Sequence, residues 1–211
     1  MNESTSSGIN TDNSICSKET VNTSTSFEMD NPIPDDIKKY ILKSISRNLK
    51  EIIKENKQSG LMKYVLNDIF YLGHLPGISL EDYIKRIYNS TKMNISTLIM
   101  SIIYIDRFCE YENYVISMNN IHKLLLSACL LSIKFNEDIS ISSKYYSEIA
   151  GIPVYDLNNL EFYLCVKLRF SLYVDYNLYQ KYFEYFCKSE KKGVEQEKIN
   201  EKNKMINKKD K

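Results

Sequence analysis

The chain of 211 residues has no tryptophan, two histidines, four prolines and six glycines. Glycine and proline stand at the edges of its apolar segments, and strict apolar–polar alternation is missing. The part able to pack therefore reads as helices only. Charge of one sign is also lacking: 28 basic against 27 acidic side chains leave a formal net charge of +1. No sequence-wide field draws in a polyanion or an anionic membrane, so neither nucleic acid nor membrane is an expected partner. The five cysteines are odd in number and form no C-x-x-C, which argues against a disulfide framework and fits a reducing compartment. H-E-x-x-H, G-x-S-x-G, a phosphate-cradling glycine loop and metal-spaced Cys/His sets are all missing. His74 falls in a loop and His122 opens an apolar helix, so neither suggests catalysis. The expectations are no enzyme, no catalytic residue, no metal and no cofactor. The first residues contain no apolar signal segment. The longest apolar run is interrupted by His122, Lys123 and Lys134, too short to span a bilayer, and the expected location is intracellular, in nucleus or cytoplasm.

What is present divides into regions. Residues 1–31 are Ser, Thr, Asn and charge, unable to bury enough apolar surface to offset ordering entropy, and read as a flexible arm. Residues 187–211 read as a charged tail. Between them, "NPIPDD" starts an amphipathic helix carrying Ile37, Ile41, Leu42, Ile45, Leu49, Ile52 and Ile53 on one stripe. "GLMKYVLNDIFYL" (residues 60–72) reads as a second helix, and these N-terminal helices (residues 32–74) are expected to pack on the five segments C-terminal to them. "SLED" opens the first of the five with Ser79 as cap and Asp82 three residues on. "NISTLIMSIIYIDRFCE" is the second, capped by Asn94 or Ser96. The third runs from Ser117 to Phe135, the fourth is "SSKYYSEIAG" with Gly151 past its end, and the fifth starts at Pro153. A Tyr-rich helix, "YVDYNLYQKYFEYF", comes last. The third segment is apolar almost all round, so the others must enclose it, and only its ends reach water.

Few polar residues in this frame ask for a special account. Asp106, after Ile102, Ile103 and Ile105, needs a partner outside its own helix, and Arg86 on the preceding helix is the candidate for a structural ion pair. Lys134 suits the negative end of the third helix, and Glu161 reads as an exposed helical residue. The Tyr-rich helix has almost no basic residue beside Lys181, so core packing is a better account of it than base stacking.

The runs "ISLEDYIKRIYNSTKMNISTLIMSIIYIDRF", "NIHKLLLSACLLSIKFNED", "KYYSEIAGI" and "DLNNLEFYLCVKLRFSLYV", taken in order, resemble the cyclin box over residues 75–186. The resemblance is to single-box cyclins of the phosphate-regulon kind, called P-type or U-type in plants and protists. It implies an all-α fold, a five-helix bundle around a buried third helix, here with additional N-terminal helices and flexible termini. It also implies a non-catalytic subunit that binds and activates a cyclin-dependent protein kinase as a heterodimer, by positioning the kinase αC helix and activation loop. By resemblance, Lys134, Phe135 and Glu161 meet the kinase near αC, and the acidic doublet Glu137–Asp138 meets kinase arginines, Asp138 being preferred. The doublet reads Glu-Asp where the family often has Asp-Asp, and Ser143 stands where an asparagine is frequent. The M-R-x-x-L docking motif of mitotic cyclins is missing before "SLEDY", and no second box follows Phe186. The rival reading is a cyclin-fold adaptor of the transcription or scaffolding kind, without kinase activation.

Overall fold

A computed structural model describes residues 33–60, 68–138 and 142–188. Among these the chain is all-helical, with seven helices and no strand. They are α1 (Asp35–Gln58), α2 (Leu80–Thr91), α3 (Ile95–Glu112), α4 (Ile121–Asn136), α5 (Ser143–Ala150) and α6 (Val154–Lys167), followed by α7 over residues 176–188. The expected arm (1–31) and all of the expected tail beyond residue 188 lie outside the described residues.

Local chemistry sets several boundaries. The Ser79 hydroxyl accepts the Asp82 N–H at 3.1 Å and donates to the Asp82 carboxylate at 2.6 Å, filling an otherwise orphaned donor at the start of α2. Gly151 ends α5 at φ 68°, a conformation that costs glycine nothing. Pro153 is the cap residue of α6 and so stands one position before the first helical turn.

Residues 68–72, the described part of the expected second helix, are not helical. Asp68 supplies the reason. Its carboxylate accepts the Phe70 N–H at 2.9 Å and the Tyr114 hydroxyl at 2.6 Å, and its carbonyl accepts the Tyr71 N–H at 3.0 Å. Such local bonds compete with the helix ladder. The turn drives Phe70 into the core at 0 % exposure, edge-on to Phe108, Tyr114 and Tyr163. Leu72 exchanges hydrogen bonds with Asn119 (2.7 and 3.0 Å), so the strap stays satisfied beside the start of α4.

Helix α4 is the buried rod. Leu124–Ile133 are all buried, and accessible surface returns at Lys134, Phe135 and Asn136. Its main neighbours are α3 and α6, while α1 packs on α2. The buried Ser132 hydroxyl of α4 donates across to the Thr97 carbonyl of α3 at 2.8 Å. The enclosed side chains, ten in the run from Leu124 to Ile133, make α4 the element whose burial holds the bundle together.

Candidate functional site

The chain surfaces from the core at the C-terminal end of α4, and this end lies against the middle of α6. Lys134, in the last turn of α4, reaches Glu161 of α6 with Nζ to Oε2 at 2.7 Å. The two side chains differ in access to water, 42 % for Lys134 and 15 % for Glu161. A lysine can reach here because the helix stops burying its sides after Ile133. Its charge also meets the carbonyl-rich end of the helix favourably.

The residues next in sequence to this pair are apolar and face solvent. Phe135 is 51 % exposed and Phe162 is 67 % exposed. Helix α6 is two-faced. Leu157, Leu160 and Leu164 are buried on one side, whereas Tyr155, Phe162 and Val166 are exposed. At about 100° per residue those three fall within an arc of roughly 40° on the opposite side. Large apolar groups gathered on one solvent-facing stripe mark a contact surface more than they mark a solvated helix.

Past α6 the chain enters a turn with unusual backbone. Arg169 and Phe170 both have positive φ, 54° and 56°, a region that non-glycine residues enter at a cost of about 1–2 kcal/mol each. Surrounding bonds hold them there. The Tyr104 hydroxyl donates to the Leu172 carbonyl at 2.8 Å, and Arg107 donates to the carbonyls of Ser171 and Tyr173 at 2.9 and 3.0 Å. The outcome is a phenylalanine, Phe170, held 67 % exposed on a stapled turn.

The acidic doublet after α4 splits in role. The Glu137 carboxylate accepts the Asn94 N–H at 2.7 Å. Asn94 is the cap residue of α3 and makes no side-chain cap bond of its own, so Glu137 serves the positive end of a neighbouring helix. Asp138 is exposed.

Lys134 and Glu161 thus meet at the C-terminal end of α4, where Phe135, Glu137 and Asp138 adjoin Lys134 in sequence. The expected pair of Asp106 with Arg86 does not form. Asp106 accepts the Tyr182 hydroxyl of α7 at 2.7 Å, and Arg86 is exposed on α2. Asp106 instead lines a groove between α1, α3 and α7, with Ile45, Ile102 and Tyr182. Packing around its carboxyl raises the pKa above the ordinary carboxylate value, and the bond from Tyr182 opposes this. Residue-based reading also missed Tyr155, Phe162, Val166 and Phe170. The first three repeat at spacings of seven and four, a signal that α6 has apolar residues on both sides.

Among the described residues no group of three His, Cys, Asp or Glu side chains is arranged to hold a metal ion, and no helix is long and apolar enough to cross a membrane. The arrangement offers binding surface: a partly exposed ion pair, with exposed Phe135 and Phe162 next to it in sequence.

Comparison with known proteins gives a consistent family. The family model described as Cyclin matches residues 2–172. The chain is 30 % identical over 115 residues to Cyclin-U2-1 of Arabidopsis thaliana, covering 54 % of this chain and 52 % of that protein. It is 29 % identical over 147 residues to Cyclin-U4-3 of Arabidopsis thaliana, with 68 % and 62 % covered. It is 29 % identical over 113 residues to the PHO85 cyclin-like protein psl1 of Schizosaccharomyces pombe, with 53 % and 44 % covered. The chain spans about half the length of the curated relatives it matches.

Proposed function

The chain belongs to the cyclin family, of the phosphate-regulon type by its relatives, and from this premise we propose that it is a non-catalytic regulatory subunit of a cyclin-dependent protein kinase. The observation that carries the proposal is the α4–α6 face, where the Lys134–Glu161 pair sits beside exposed Phe135 and Phe162. Phe135, Phe162 and Phe170 supply the apolar anchors of the interface. Lys134 and Glu161 supply hydrogen-bonding groups that a mobile helix can satisfy in only one position. Asp138, exposed just past α4, is the acidic group that meets kinase arginines, since Glu137 is engaged with Asn94.

The mechanism is a shift of population. A protein kinase is active when its αC helix brings a glutamate to the catalytic lysine and its activation loop is ordered. A rigid helical face that binds only the inward position of αC favours that state by its differential affinity. Catalytic groups stay on the kinase.

Reconstitution tests this. The 211-residue chain is added to purified cyclin-dependent kinases of the phosphate-regulon type, and phosphate transfer to a peptide substrate is followed. A saturable rise in activity with a 1:1 complex on gel filtration is the expected result. A 1:1 complex without any gain in activity would leave the adaptor reading in place of activation.

A further inference from the structure

The turn between α6 and α7 is unfavourable for the free chain in two ways. Arg169 and Phe170 hold left-handed backbone, and Phe170 is 67 % exposed while Leu168, Leu172 and Val174 around it are buried. Left to packing alone, the backbone would relax or the ring would turn inward. Neither has happened, so other bonds fix the arrangement.

Those bonds come from a single face of α3. Tyr104, Arg107 and Tyr111 follow one another at spacings of three and four, which at about 100° per residue keeps them within an arc of about 60°. Two of them hold three successive carbonyls of the turn. The Tyr104 hydroxyl donates to Leu172, and Arg107 Nη1 donates to both Ser171 and Tyr173. Tyr111 meets the Arg169 guanidinium, whose carbon lies 5.1 Å from the ring centroid, a cation–π contact. One residue further along α3, Glu112 pairs with Lys167 at the end of α6. Tyr104 is itself completely buried, so the hydroxyl that fixes Leu172 is anchored in the core and cannot follow the turn if it moves.

We propose that Tyr104, Arg107 and Tyr111 are positioning residues for partner binding: they hold Phe170 outward in the free chain, so that an apolar pocket of the kinase receives a ring already in place. The inference rests on the kinase-subunit reading above and adds how one anchor of that surface is prepared. A group held ready before association spares the complex the entropy of ordering it. Its apparent affinity falls in proportion to the fraction of molecules in which it is correctly placed. With the Arg107 bonds removed, two left-handed residues are free to relax, and a correctly placed fraction of about one tenth weakens Kd about tenfold. Since Arg107 acts through Phe170, the losses from altering both do not add.

The test is a double-variant cycle on the 211-residue chain, with Arg107→Met, Phe170→Ala and the two combined titrated by calorimetry against the purified kinase. Arg107→Met is expected to raise Kd about tenfold and Phe170→Ala by about tenfold or more, while the combined variant stays within about twofold of Phe170→Ala. In the free chain, hydrogen exchange over residues 169–174 should be about fivefold faster or more in Arg107→Met, with exchange in α4 unchanged. Should Arg107→Met lose its helical circular dichroism, Tyr104→Phe, which keeps the ring and removes only the bond to Leu172, goes through the same cycle with an expected loss of about threefold. A combined variant weaker than Phe170→Ala by a further factor of about ten makes Arg107 a direct contact or a general stabiliser and overturns the proposal. Unchanged Kd or unchanged exchange over the turn in the folded variants overturns it too. Absence of kinase binding by the unaltered chain overturns the kinase-subunit reading together with this one, whereas normal binding with additive losses overturns this one alone.

Discussion

Replacing Lys134 and Glu161 by alanine, singly and together, separates what their ion pair does for the fold from what it does for a partner. In the free chain the pair is short, 2.7 Å, but Lys134 is 42 % exposed. Coulomb attraction near a protein surface has a gross size of about 4 kcal/mol at 4 Å. Solvation and side-chain entropy reduce exposed pairs to about 0.2–1 kcal/mol. The coupling between the two residues in the free chain should therefore be about 0.5 kcal/mol, a shift of only about 1–2 °C in Tm for a protein of this size. Docking on the proposed face would change the balance, because a kinase surface laid on it would strip the remaining water from both groups. Truncating a hydrogen-bonded charge buried in an interface costs about 2–5 kcal/mol, which is roughly 30-fold to several thousand-fold in Kd. Thermal unfolding of the four proteins gives the first number, and calorimetric titration against the purified kinase gives the second. If the double variant binds within about fivefold of the wild type, equivalent to 1 kcal/mol, the pair is an ordinary surface bridge and the assigned face is wrong.

Two further outcomes concern the fold. Lys92, exposed at the C-cap of α2, has φ 53°; Lys92→Gly should remove a left-handed penalty and raise stability by up to about 1 kcal/mol, read as a higher urea midpoint. His122 is 3 % exposed and lies 4.9 Å from the Tyr83 ring. Burial disfavours its imidazolium and lowers its pKa from 6.5. The unfolded chain therefore takes up this proton first, so the contribution of His122 is complete above about pH 6.5 and lost as pH falls through the folded value. Urea midpoints between pH 7.5 and 5 should fall more steeply for the wild type than for His122→Gln, and parallel profiles would show that His122 does not report this burial.

The Ser79 cap, the Gly151 stop and the enclosed third segment of the box were all legible in the residues themselves. Each depends on groups a few positions apart, whose energies operate in any tertiary setting. The proposed kinase-facing set rests on resemblance, because nothing in the spacing of Lys134 and Glu161 says they share a site. They stand 27 residues apart on different helices.

The reading of residues 60–72 as one helix failed over 68–72 because Asp68 bonds to Phe70 and Tyr114, and Tyr114 is 46 residues away. The partner of Asp106 was misassigned for the same reason. Arg86 is the nearer group along the chain, but the hydroxyl that meets Asp106 comes from Tyr182, 76 residues on, when α7 lies beside α3.

Outside residues 60–72, the amino-acid order alone determined which stretches become helices, where most of them begin and stop, and which helix must be hidden, since those outcomes follow from periodicity and caps. Only the tertiary packing decided which charged groups meet, that Glu137 serves the start of α3, and that α6 leaves its aromatic side in water. Those choices turn on distances between helices far apart in sequence, which no local pattern encodes.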